Sequence, residues 1–204
     1  MAARPRKARG AASAGTAPVP PRCLPDPSSG APPLPGPTLD DLLHDGLRDL
    51  LYAERKALQV LRKQARAAAS PELRQAFETH REETQGQVER LNQAFDMLGK
   101  RARGKTCAAM DGLAEEGDEV LESYAGSPAA DAGLLAAAQA IEHYEIARYG
   151  TCAAWAEQLG QADLAALLRE TLAEEERADE LLSGLAEAAI NAAAEGGGGG
   201  RARA

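Results

Sequence analysis

An acidic chain of 204 residues, with net charge −8 and a pI near 5.0, lacks the basic surface that phosphate contacts require, so no nucleic-acid-binding role is expected for its folded part. Aromatics make up only 3% of the residues, which leaves the core to Leu and Ala with a few larger fillers such as Phe77, Phe95 and Trp155, a composition suited to close-packed helices. Three cysteines (Cys23, Cys107 and Cys152) form no CxxC, so neither a disulfide framework nor a zinc knuckle is indicated and a reducing, cytoplasmic setting fits best. No stretch approaches the roughly 20 uninterrupted apolar residues of a membrane span, and the cationic N-terminus lacks the apolar run of a secretory signal.

Residues 1–37 hold most of the prolines and few large apolar groups, and read as a disordered, weakly basic extension. A first helix is expected from Thr38, whose partner Asp41 three residues later suggests a capped start, to about Ala69. Ser70-Pro71 supplies an N-cap and a proline at the first position of a second helix, which stops at Gly99. Residues 99–127 form a long link in which Thr106 to Tyr124 reads as one short helix lying across the others. Ser127-Pro128 repeats the start signature for a third main helix ending at Gly160, and a fourth fills about Gln161 to Ala194. From Glu195 onward the glycine-rich tail is expected to be flexible.

Two very short connections impose two antiparallel hairpins, while the long link lets the second and third main helices run parallel. The expected fold is therefore all-α: a ferritin-like antiparallel four-helix bundle over residues 38–194, with a long crossover carrying a short extra helix.

Placing residues at about 100° intervals shows which polar groups share each apolar stripe. Glu54 falls near the centre of the stripe on the first helix, and Glu145 near that of the third, with Glu142 and Tyr149 toward one side. Glu175 and Asp179 both fall within the stripe of the fourth helix. His80 and Gln87 lie within the second helix's face and Glu83 at its edge. Several carboxylates gathered in a core need protons or cations, because each isolated buried charge costs several kcal/mol. Oxygen donors with one imidazole suit iron, manganese or magnesium rather than zinc. The competing explanation is an ion-pair network without metal, with Arg148 as the partner of Glu145; His143 projects outward.

The strings LHDGLRDLLYAERKAL, FETHREETQGQVERL, GKTCAAMDGLAEEG, IEHYEIARYGT and LRETLAEEERADELL together resemble the YciE/YciF family of ferritin-like bacterial proteins. The likeness covers about residues 38–190. It implies a cytoplasmic, dimeric protein linked to stress responses, with a di-iron-type site and no established reaction. It marks Glu54, Glu83, Glu142, Glu145 and Glu175 as ligands. The Glu-x-x-His pair usual in ferritin-like sites is missing: Gly86 follows Glu83 and Ala178 follows Glu175 at that spacing, leaving Gln87, Asp179 and His80 as substitutes. Two functions follow as expectations: a protein binding iron or manganese at a di-metal site, or a non-catalytic helical interaction module whose inward acids are ion-paired. A storage cage is a third, weaker expectation.

Overall fold

The computed structural model describes residues 36–196, so the expectations for the N-terminal extension and for the tail beyond Gly196 fall outside the described residues. The described chain is all-helical, with no strands. Five long helices follow one another: α1 (Leu39–Ala67), α2 (Pro71–Met97), α3 (Ala108–Ser123), α4 (Ala130–Gln158) and α5 (Ala162–Leu185). A π-helical turn (Ala186–Ile190) then passes into α6 (Asn191–Gly196). The expected fourth main helix thus continues as helix through Ala194, with a π turn inserted that leaves Ile190 buried.

The helix ends follow from local chemistry. Thr38 and Asp41 form a reciprocal capping box: the Asp41 amide donates to Thr38 Oγ1 at 3.2 Å and the Thr38 amide to Asp41 Oδ2 at 2.9 Å. The Leu73 amide donates to Ser70 Oγ at 3.2 Å, with Pro71 opening α2. Gly99 and Gly160 adopt φ of +63° and +73°, a conformation that glycine takes without a Cβ penalty. At both, the following amide reaches back to close a Schellman motif: Lys100 to the Phe95 carbonyl and Gln161 to the Ala156 carbonyl, each at 2.9 Å.

One expected boundary is corrected. Ser127-Pro128 does not cap α4: these residues form a turn, Ser127 Oγ has no protein partner, and the helix begins at Ala130. The capping carboxylate at this end belongs to Asp131, and it serves another helix pair. It accepts from the Ala69 and Ser70 amides at 2.9 and 2.7 Å, tying the α1–α2 turn to the start of α4.

α1 packs against α2 and α4, and α5 packs against the same two helices, so the four stand in a square. Cross-helix pairs fix their directions. Contacts of Ala69 with Asp131 and of Glu54 with Tyr149 make α1 and α4 antiparallel; contacts of His80 with Glu175 and of Arg90 with Thr171 do the same for α2 and α5. α2 and α4 therefore run the same way, as the long crossover permits. Within that crossover α3 lies against α1 and α4, where Cys107, Met110 and Ala114 pack on Ala53, Ala57, Val60 and Ile141. The approach to α4 is close enough that a Cβ on Gly133 would meet Val120 Cγ1 at 2.6 Å.

The core is layered. One apolar cluster gathers Leu43, Leu47, Leu50, Phe95, Leu164 and Leu168; another gathers Leu61, Leu73, Phe77, Leu134 and Leu182. Between them, at mid-helix in α1, α2, α4 and α5, the buried side chains turn polar. None of the described helices is long and apolar enough to cross a membrane.

Candidate metal centre

Each main helix contributes to this polar layer because its apolar stripe is interrupted by buried polar residues. Glu54 on α1, Glu142 and Glu145 on α4, and Glu175 on α5 are at most 1% exposed, and His80 on α2 is 7% exposed. Their donor atoms form two trios, His80–Glu142–Glu175 and Glu54–Glu145–Glu175, each within a span of 4.8 Å. Glu175 belongs to both, so the two trios adjoin through one carboxylate.

The protein itself leaves these groups underserved. His80 Nε2 stands 3.1 Å from Glu142 Oε2 and 3.3 Å from Glu175 Oε2, yet neither contact has the alignment of a hydrogen bond. Glu54 Oε2, Glu145 Oε1 and both Glu175 oxygens also lack a protein hydrogen-bond partner. Tyr149, fully buried, donates its hydroxyl to Glu54 Oε1. Among the described residues no Lys or Arg comes within 4 Å of any of the four carboxylates.

Proton affinities follow from this crowding. Burial, then the charge of Glu175, push the Glu54 carboxyl well above its ordinary range. Burial and the neighbouring Glu54, Glu175 and Glu142 do the same to Glu145. Burial raises Glu175 to about 8 despite the contact with His80. For His80, burial alone would depress the imidazole, but the charge of Glu142 and contacts with Glu142, Glu175 and Glu83 outweigh it and hold the ring well above its usual value. Burial, then the Glu54 charge, push the Tyr149 phenol upward. The cluster therefore stores positive charge as protons, and its chemistry of oxygen donors plus one imidazole fits a hard divalent cation.

The remaining sequence candidates are distributed differently. Glu83 is exposed at the surface, its side chain 43% accessible, and touches the centre only through His80 Nδ1 at 3.4 Å. Asp179, expected inside, is half-buried at the α4–α5 edge. There it accepts from Gln139 Nε2 at 3.0 Å and faces the exposed His143 at 3.5 Å, outside both trios. The helical wheel gives an angle about α5 alone, whereas the flank that α4 covers depends on how the two helices cross. Gln87 is buried; its Nε2 donates to Glu174 Oε2 at 3.1 Å and its Oε1 has no protein partner. Arg148 does not reach Glu145. It stacks over the Tyr144 ring at 5.5 Å, contacts that hydroxyl at 3.3 Å, and lies 3.9 Å from Asp49. The ion-pair partner expected for Glu145 is thus directed elsewhere.

Sequence reading missed the support that stands beside the centre. Arg90 holds Glu174 through two guanidinium contacts and donates to Thr171 Oγ1 at 2.8 Å, while Thr84 Oγ1 donates to the His80 carbonyl at 2.8 Å. The signal was the antiparallel pairing of α2 and α5, which sets residues 84–90 against 171–174.

A family described as a domain of unknown function, DUF892, matches residues 38–195. The chain is 45% identical over 159 residues to protein YciF of Escherichia coli K12, a match covering 78% of this chain and 96% of that protein. The crystal structure described as the E. coli stress protein YciF is similar with a TM-score of 0.72 at 45% identity, covering 76% of this chain and 98% of that one. A Rhodopseudomonas palustris structure, described as YcfI, a putative structural protein, is similar with a TM-score of 0.71 at 46% identity, covering 72% and 94%.

Proposed function

The chain belongs to the DUF892 family, and from that premise we propose that it is a ferritin-like stress protein binding two iron or manganese ions in its carboxylate-rich core. The observation that carries this reading is the pair of buried trios sharing Glu175, in which five carboxylate oxygens have no hydrogen-bond partner and His80 is the one basic side chain within 4 Å among the described residues, too little to offset four buried carboxylates. His80, Glu142 and Glu175 would hold one ion; Glu54, Glu145 and Glu175 the other. Two divalent ions would balance the four carboxylates while His80 is neutral.

Bound iron or manganese would supply Lewis acidity and one-electron redox chemistry. The protein's own groups do the rest. Tyr149 orients Glu54 by its hydrogen bond, Thr84 engages the backbone at His80, and the Arg90–Glu174–Gln87 chain fixes the α2–α5 spacing beside the site. Glu83, Gln87 and Asp179 stand outside the two trios; of these Gln87, buried with a free carbonyl oxygen, is the one suited to complete a coordination sphere. The role in stress carries over from the likeness to the E. coli stress protein YciF; a cytoplasmic location and assembly as a homodimer belong to the same proposal and rest on the resemblance read from the sequence.

The non-catalytic interaction module with paired acids is the weaker reading, because Arg148 is engaged by Tyr144 and Asp49. Metal analysis after anaerobic reconstitution distinguishes the two. Two equivalents of iron or manganese, lost in Glu54→Ala combined with Glu145→Ala, are expected. Less than about half an equivalent, unchanged by those substitutions, would sink the metal reading.

A further inference from the structure

The two trios are not equally enclosed. Glu54, Glu145 and Tyr149 are sealed on every side, each at most 1% exposed. His80 and Glu142, by contrast, form the floor of a pocket of about 230 Å³ that opens between α2 and α5. Its walls are apolar, with Phe77 and Leu182 from the second core cluster. Four of its lining side chains are exposed and stand at its rim, the apolar Leu181 beside Thr79, Glu83 and Arg177. The Glu83 carboxylate faces the His80 ring at 3.4 Å, whereas Arg177 makes no ion pair within 4 Å among the described residues.

We propose that this pocket is the entry by which a small anion from solvent reaches the ion held by His80, Glu142 and Glu175, with Arg177 attracting it at the rim; this rests on the metal reading above. The volume limits the class of ligand. It lies below the roughly 300–1,000 Å³ of pockets that hold drug-sized molecules, so a ligand of a few heavy atoms fits and a nucleotide does not. Charge makes the same selection. With two divalent ions the four buried carboxylates are balanced, so an incoming anion meets no net repulsion at the floor, and Arg177 opposes the charge of Glu83 at the rim. The inner position, behind Glu175 and Tyr149, receives no exogenous ligand by this route.

The test uses the full chain loaded with Co²⁺, whose visible absorption reports its coordination, and azide as the probe. Two equivalents of Co²⁺ are expected, with azide changing the spectrum of one of them. Arg177→Glu should weaken azide by at least about five-fold as the rim charge reverses. Thr79→Trp, at an exposed position, should slow its binding by a comparable factor with Co²⁺ stoichiometry unchanged. Arg62→Glu, a charge reversal on the exposed outer surface of α1, should leave azide within two-fold of the unmodified protein and serves as the control for net charge. Two bound Co²⁺ with no azide response, or with a response unchanged in both rim variants, overturns the pocket as an entry and leaves the metal centre standing. Binding of less than about half an equivalent of Co²⁺ overturns both.

Discussion

Glu54, Glu145 and Glu175 hold protons in the folded, metal-free protein that the unfolded chain releases near its ordinary carboxylate range. His80 likewise keeps its proton to a higher pH when folded. All four shifts have the same sign: more protons are bound in the native state, so stability is fully present at low pH and declines as pH rises through the folded values. For Glu175 that window runs from about 4.5 to about 8. Each proton of difference contributes up to about 1.4 kcal/mol per pH unit, so the urea midpoint of metal-free protein should fall between pH 5.5 and 8.5. Glu175→Gln should flatten the decline and raise metal-free stability at pH 8 by about 1–3 kcal/mol, since it removes a buried charge while leaving an amide oxygen to face His80. The same substitution should abolish binding of both ions. An ion-paired carboxylate would give the opposite sign in the first measurement.

At the scale of elements, the same dipeptide behaves in two ways. Ser70-Pro71 opens α2 as its sequence suggests, while Ser127-Pro128 makes a turn and leaves the start of α4 to Ala130. Beside that turn the Asp131 carboxylate is taken by the Ala69 and Ser70 amides, a contact between residues about sixty apart that no local pattern announces. Asp131→Ala should therefore cost about 2 kcal/mol in denaturant unfolding, as for hydrogen bonds to a charged group. Ser127→Ala should stay within about 0.5 kcal/mol. Most of the rest was legible. Glycine stops, cap residues and apolar stripes marked four long helices and the short one in the crossover because each acts within one or two turns, and they placed Glu54, Glu145 and Glu175 inward. Asp179 was misplaced and the Arg90–Glu174 pairing unseen, since both depend on how α5 lies against its neighbours. Overpacking tests the α3–α4 approach in the same terms: Gly133→Val would drive a branched side chain into Val120 and should cost about 1–3 kcal/mol.

For the whole molecule, a candidate centre that draws on α1, α2, α4 and α5 would make ion binding a property of the native fold alone. Ions at a hundred times their dissociation constant should stabilise it by about 2.7 kcal/mol, read as a rise in Tm that Glu54→Ala with Glu145→Ala removes. Light scattering coupled to size exclusion should give the mass of a dimer, neither a 21.3 kDa monomer nor a large shell. The layered core also bears on how the chain reaches its native state. Each hairpin, α1 with α2 and α4 with α5, forms from neighbouring sequence, but the acidic layer assembles only when the hairpins dock, bringing Glu54 beside Glu175. That docking step gathers like charges between two apolar layers. Refolding of metal-free protein should consequently be slowed at neutral pH and accelerate as acid supplies the protons the interface requires, in a stopped-flow comparison at pH 5.5 and 8.5. The apolar layers draw the hairpins together, while the carboxylates between them set the rate at which they close.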